Sequence, residues 1–133
     1  MAKGIVTIDG VDLRLWEMEI KRGFAVTDSE LSGRLKNSEM FRDIVGTFYN
    51  YTLGVEPHPD YREDYDTFYD IISAPVKFHT VKFPYGLHGT IEYVAYVTTG
   101  EDSDKPIENG EIVDNRWSGL SVQFIAKEPQ RRP

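Results

Sequence analysis

The sequence predicts a mainly β domain, an antiparallel β-sandwich or barrel with one flanking α-helix at about residues 60–73. Several segments alternate apolar and polar residues with period two, the signature of strands with one buried face. A single segment, near the middle of the chain, carries apolar residues every three or four positions instead. Strands and helices do not alternate along the chain, which argues against a parallel α/β sheet. With 133 residues, 40% hydrophobic and 13% aromatic, the chain suits one domain (1–133) with one core.

Residues 5–8 and 11–15 flank Asp9-Gly10, a pair suited to the positive φ values of a two-residue hairpin turn. In the second of these strands Val11, Leu13 and Leu15 share one parity and Trp16, Met18 and Ile20 the other, so a bulge or bend is expected near Leu15 or Trp16. Residues 27–39, with Ser29, Ser32, Gly33, Asn37 and Ser38, hold no period and read as a loop or an extended arm. Val45, Thr47, Tyr49, Tyr51, Leu53 and Val55 then alternate as one face of a strand, with Phe48 on the opposite face, and Pro57 and Pro59 end it.

In the helix, Tyr61, Tyr65, Phe68, Tyr69 and Ile72 form the apolar stripe, Asp60 is the expected N-cap, and Glu63, Asp64 and Asp66 sit where the helix dipole favours negative charge. Ala74-Pro75 stops it. Residues 76–83 read as a strand broken by Pro84-Tyr85-Gly86, to be paired with a second carrying Ile91, Tyr93, Ala95 and Val97. Residues 100–115 are acidic and aperiodic, and read as an exposed loop. Leu120, Val122, Phe124 and Ala126 form the last inward face.

The residues exclude several chemistries. There is no cysteine, hence no disulfide, thiolate metal site or cysteine nucleophile. Asp and Glu number 22 against 15 Lys and Arg, which argues against a sequence-specific nucleic-acid partner, since phosphate binding draws on cations. The exception is a negatively charged pore through which DNA slides. No run reaches the ~20 apolar residues of a membrane span, and Met1-Ala2-Lys3-Gly4 leads into a strand pattern without an apolar signal region. The expectation is a protein with no membrane partner, made and kept in the cytoplasm unless a larger particle carries it out.

Candidate sites are few. His58, His79 and His88 have no metal-ligand spacing and read as surface or hairpin histidines. Asp60, Glu63, Asp64 and Asp66 read as a solvated helix face, with no base, nucleophile or oxyanion motif beside them. Glu101 to Asp114 lacks the spacing of a calcium loop. Gly86 and Gly89 are too few for a phosphate loop, and Gly119-Leu120-Ser121 opens a strand, not a nucleophile elbow. Of Tyr49, Tyr51, Tyr61, Tyr65, Tyr69, Tyr85, Tyr93 and Tyr96, at least six are expected in the core, with a sugar-binding platform as the alternative. The expectation is therefore no enzyme: no catalytic, cofactor-binding or metal-binding residues, and no cofactor.

Arg42-Asp43-Ile44-Val45-Gly46-Thr47-Phe48-Tyr49-Asn50-Tyr51, Ser73-Ala74-Pro75-Val76 with His79-Thr80-Val81, and Trp117-Ser118-Gly119-Leu120-Ser121-Val122-Gln123-Phe124-Ile125-Ala126 together resemble small, mostly uncharacterised structural proteins of the tail modules of long-tailed phages and prophages. The likeness runs over about residues 5–129. It implies a virion structural protein at the tube end or baseplate, present in the host cytoplasm during assembly and then in the virion tail. The partners it implies are other tail proteins and further copies of the chain, in a homo-oligomeric ring that would cover exposed strand edges. No functional residue carries over from it.

Overall fold

The structure is a computed structural model that describes residues 5–28, 33–34, 40–112 and 115–133. Strands β1 (Ile5–Ile8) and β2 (Val11–Asp28) turn at Asp9-Gly10, with φ of 53° and 82°, as a two-residue type I′ loop demands. β2 runs on well past β1 and pairs with β5 (Ile44–Pro57), from Leu15 opposite Pro57 to Asp28 opposite Ile44. Two short strands, β3 (Gly33–Arg34) and β4 (Met40–Phe41), pair between them. Of the segment 27–39, expected as loop or arm, Thr27 and Asp28 finish β2 and residues 33–34 are strand; 29–32 and 35–39 lie outside the described residues.

After helix α1 (Arg62–Ile72) come β6 (His79–Tyr85), β7 (Gly89–Tyr96), β8 (Gly100–Asp104), β9 (Ile107–Glu108), β10 (Glu111–Ile112) and β11 (Trp117–Ala126). Six strands close a barrel in the cyclic order β1, β2, β5, β11, β7, β6, every neighbouring pair antiparallel. Closure is uneven: β5 and β11 pair over five residues, whereas β11 meets β7 only at Ile125 and Ala126. β8 is an extra strand on β11 and forms an end of the sheet.

Period-two alternation fills the barrel. Val6, Ile8, Leu13, Leu15, Tyr51, Leu53, Val55, Val81, Phe83, Tyr93, Ala95, Leu120, Val122, Phe124 and Ala126 are buried and keep one parity along each strand. Phe83 stacks on Tyr51 at 4.7 Å and lies 5.1 Å from Phe124. Burial of each large side chain contributes about 1.5–3 kcal/mol. The helix adds Tyr65, Phe68 and Ile72 to the same core.

Several expectations need correction. The bulge in β2 lies between Glu17 and Glu19, beyond Leu15 and Trp16; it brings Ile20 opposite Leu53, on the face of Leu15, and leaves Trp16 exposed. Asp60 does not cap the helix: the N-cap position is Tyr61, without a side-chain cap, and the Asp60 N–H donates to His58 Nδ1. Tyr61 and Tyr69 stand at the exposed margin of the stripe. Instead of a cap, Arg14 of β2 holds the helix start, its Nε 3.0 Å from Asp64 Oδ2 and its guanidinium 3.8 Å above the Tyr61 ring. Residues 76–78 precede β6, with Val76 and Phe78 exposed. Finally, 100–115 is no plain loop, because β8 pairs with β11 and β9 with β10. Acidic composition hid these strands, since their partners are supplied by backbone pairing and not by a buried face.

Candidate functional site

β5 and β11 are antiparallel, so the barrel has two ends. At one end lie the start of β11, helix α1 and the β9–β10 hairpin; at the other, the end of β11, the outer half of the β2–β5 ribbon and the C-terminal tail. The second end holds the features that point to binding.

Beyond Asn50 the ribbon leaves the barrel. Asn50 Oδ1 accepts the Ala126 N–H at 2.9 Å, the last tie between β5 and β11. From there residues 44–50 pair on one edge with 23–28 of β2. Their other edge receives the tail: the Thr47 N–H donates to Arg131 O at 2.8 Å, Gln130 N donates to Thr47 O at 2.9 Å, and the Tyr49 N–H donates to Gln130 Oε1 at 2.7 Å. Gly46 is what permits this approach, since a Cβ there would lie 2.5 Å from Arg131 O. The face of the ribbon that continues the barrel interior carries Phe24 opposite Tyr49 and Val26 opposite Thr47. Phe24 is 73% exposed, and Val26, Ile44 and Val45 are exposed as well.

Between this tail and β7 the barrel wall stays open. The Lys127 N–H donates to Val94 O at 2.9 Å, and among the described residues no strand pairs with the stretch 90–94 on that edge. A groove of about 540 Å³ results, walled by residues 90–94, by 127–131 and by Tyr49 and Tyr85. The two tyrosines meet edge to face at 5.6 Å, and Arg22 lies 5.3 Å over Tyr85. Hydrogen bonding to Tyr85 and to Arg131 draws the Tyr49 phenol below its ordinary pKa. Tyr93, 7% exposed, is in the groove wall, and its hydroxyl is a buried polar atom with no hydrogen-bond partner among the described residues. Burial pushes its pKa well up.

The residues weighed as chemical candidates do not converge. His79 is 3% exposed, a correction to its reading as a surface histidine: its Nδ1 lies 2.7 Å from Asp9 Oδ2. Asp9 Oδ1 accepts the Thr80 N–H at 2.8 Å, so this carboxylate latches the first hairpin onto β6. Burial opposes the Asp9 charge, yet the bonds from His79 and Thr80 outweigh it and lower the pKa. His58 and His88 lie apart, in a turn before the helix and in the β6–β7 turn. Asp64 is engaged by Arg14 and is pulled below the usual carboxylate range by that bond, while Glu63 and Asp66 are exposed. Among the described residues, no group of three or more His, Asp or Glu could hold a metal ion, and no helix is long and apolar enough to cross a membrane.

Three of the eight tyrosines (Tyr51, Tyr65, Tyr93) belong to the core, a correction to the six or more expected there; Tyr49, Tyr85 and Tyr96 are half-buried, and Tyr61 and Tyr69 are exposed. Exposed Tyr69 joins exposed Trp117 around a cleft of about 350 Å³ at the helix end, with Asp66, Asp70 and Asp102 between them. Asp102 accepts the Tyr65 hydroxyl at 2.9 Å. No signal in the sequence marked the groove, because it arises from a gap in strand pairing. No protein-family model matches this chain, and no curated protein is significantly similar to it.

Proposed function

We propose that this chain is a non-catalytic structural component of a phage or prophage tail, at the tube end or baseplate, and that it acts by associating with copies of itself and with other tail proteins. The observation that carries the reading is the outer ribbon. An exposed apolar face on a pair of strands is a template for association, and Phe24 is 73% exposed, with no cover among the described residues. The barrel supplies the rigid body, and the ribbon supplies reach toward a neighbour in a ring. The resemblance of residues 42–51 and 117–126 to tail-module proteins supports the setting: host cytoplasm during assembly, then the virion tail.

Sedimentation velocity over a range of concentrations tests this. Association that strengthens with concentration and weakens at least ~10-fold in Phe24→Asp is expected. A chain that stays monomeric, both alone and mixed with the products of adjacent genes, would overturn the reading.

A second reading, a carbohydrate-binding module, is favoured by the cleft where Tyr69 and Trp117 flank three carboxylates. Aromatic faces stack on sugar rings while carboxylates accept their hydroxyls. Titration with host cell-wall polysaccharide, with and without Trp117→Ala, decides it: absence of binding, or binding indifferent to Trp117, removes this reading.

A further inference from the structure

The barrel mouth beside the tail carries a charge on a face that is otherwise apolar and aromatic. Residues directly opposite across two strands point to one face, and Arg22 lies opposite Tyr51, which is 1% exposed and faces the interior. Arg22 therefore takes an inward position at the rim, with its guanidinium 5.3 Å over the Tyr85 ring. Tyr85 has the parity of buried Val81 and Phe83, and Tyr49 that of buried Tyr51 and Leu53, so the three side chains converge from three strands. Arg131 joins them from the tail. Thr47 pins it, its N–H donating to Arg131 O at 2.8 Å and its carbonyl accepting the Arg131 N–H at 3.3 Å. The positive charges of Arg22 and Arg131 both act on the Tyr49 and Tyr85 phenols.

These two arginines lack what holds two others. Arg14 is bonded to Asp64 and Arg42 to Asp28, whereas among the described residues neither Arg22 nor Arg131 forms an ion pair. The remaining charges of the groove wall sort by face. Glu92 alternates with buried Tyr93, lies opposite Lys82 of β6 and belongs to the outer face. Lys127 is turned to the Phe78 ring, 4.6 Å away. Glu128 is the other acid of the wall, and it has no ion pair with either arginine. In a chain with 22 acids against 15 Lys and Arg, two guanidinium groups thus converge on one pair of tyrosines without a carboxylate to offset their repulsion. The local field favours a negative oxygen: the Tyr85 hydroxyl and Arg131 hold the Tyr49 phenol below its ordinary pKa.

We infer that this mouth binds a small oxyanion, phosphate or carboxylate, held between the Arg22 and Arg131 guanidinium groups with the Tyr49 hydroxyl donating to it. A guanidinium presents parallel N–H donors that match either oxyanion. The groove of about 540 Å³ has the size of a small-molecule site, and the mouth of a β-barrel is a common place for one. Because Arg22 belongs to the ribbon, Arg131 to the tail and Tyr85 to β6, a bound anion ties these three parts together. The site belongs to the single chain and does not depend on the self-association proposed above.

Amide NMR spectra of the dilute chain, titrated with sodium phosphate and separately with sodium citrate, test the site against sodium chloride at equal ionic strength. Saturable shifts of the Thr47, Tyr49 and Gln130 amides are expected with at least one of the two oxyanions, and the one that saturates at lower concentration identifies the class. Arg22→Gln and Arg131→Gln should each weaken that binding about 10-fold or more, the worth of a hydrogen bond to a charged group. Lys82→Gln, on the outer face, should leave it unchanged. All three side chains are exposed, so the variants keep the core, and the same spectra check that they do. Shifts no larger than those in chloride overturn the inference. So does saturable binding that either arginine variant leaves intact, or that Lys82→Gln weakens as much.

Discussion

The inner and outer halves of the β2–β5 ribbon share two strands and, along β5, one alternation, yet differ in burial. In the barrel wall Tyr51, Leu53 and Val55 are at most 1% exposed, because β11 and the interior cover them. Beyond Asn50 the same face carries Phe24 and Val26 into solvent. Alternation therefore reports that a face needs covering; it does not report whether the cover belongs to the same chain. The charges divide in the same way. The strands of the outer half, residues 23–28 and 44–50, hold a single charged residue, Asp28, in a chain of net charge -7, so this part of the ribbon is the apolar limb of an acidic body.

The largest effect sharpens this contrast directly. Leu53→Ala should cost about 2–5 kcal/mol, the loss of a buried side chain plus the cavity it leaves. Phe24→Ala should change the stability of the dilute monomer by no more than ~0.5 kcal/mol. Urea unfolding of both variants is the measurement, and similar losses would show that the outer ribbon is covered after all.

The next effect concerns how the outer ribbon is held. Gly46 has φ of 154°, and a Cβ there would meet Pro129 as well as the Arg131 carbonyl. Gly46→Ala should therefore displace the tail, at a cost of about 1–3 kcal/mol. Hydrogen exchange of the Thr47 and Gln130 amides should rise together, while that of Leu53 should not. Unchanged protection at Thr47 would mean that the tail does not need this approach.

Much of the barrel was legible in the residues. Val6 and Ile8, Leu13 and Leu15, Tyr51 to Val55, and Leu120 to Ala126 each declare a buried face by alternation, and the stripe Tyr65, Phe68, Ile72 declares the helix. Where reading failed, a partner remote in sequence decided the outcome. Trp16 and Tyr61 have the composition of core residues, but a bulge two residues on and an arginine from β2 place them outside. Strand β8 has no apolar face and exists through pairing with Trp117, Ser118, Ser121 and Val122. The groove was invisible because an unmade ladder leaves no mark on side-chain periodicity. The pairing of His79 with Asp9 joins residues 70 apart, beyond the reach of any local pattern.

That pairing gives a smaller, pH-dependent effect at the barrel end of the contrast. The Asp9 pKa is lowered from 3.8 in the folded chain, so its contribution is complete above the unfolded value and is lost as pH falls through the folded one. Asp9→Asn keeps a residue that tolerates the positive φ and removes the charge. Near neutral pH it should cost about 1 kcal/mol, the worth of a hydrogen bond. The difference from wild type should shrink on acidification below about pH 4. A difference that is constant from pH 7 to pH 3 would show that the carboxylate charge contributes nothing to the latch.

The smallest effect has the opposite sign and bears on the open seam. Tyr93 packs its ring with Phe83 and Tyr51, as a barrel residue should, but among the described residues its hydroxyl has no partner where β7 loses β11. An unsatisfied buried hydroxyl is a cost that phenylalanine avoids while keeping the ring. Tyr93→Phe should therefore leave the stability of the dilute monomer unchanged or raise it by up to ~1 kcal/mol, whereas the same change at Tyr51, whose hydroxyl donates to Pro84 O at 2.7 Å, should lower it by about that much. Unfolding curves for the two variants compare a finished stretch of wall with an unfinished one. If Tyr93→Phe loses as much as Tyr51→Phe, the Tyr93 hydroxyl has a partner and the seam is closed.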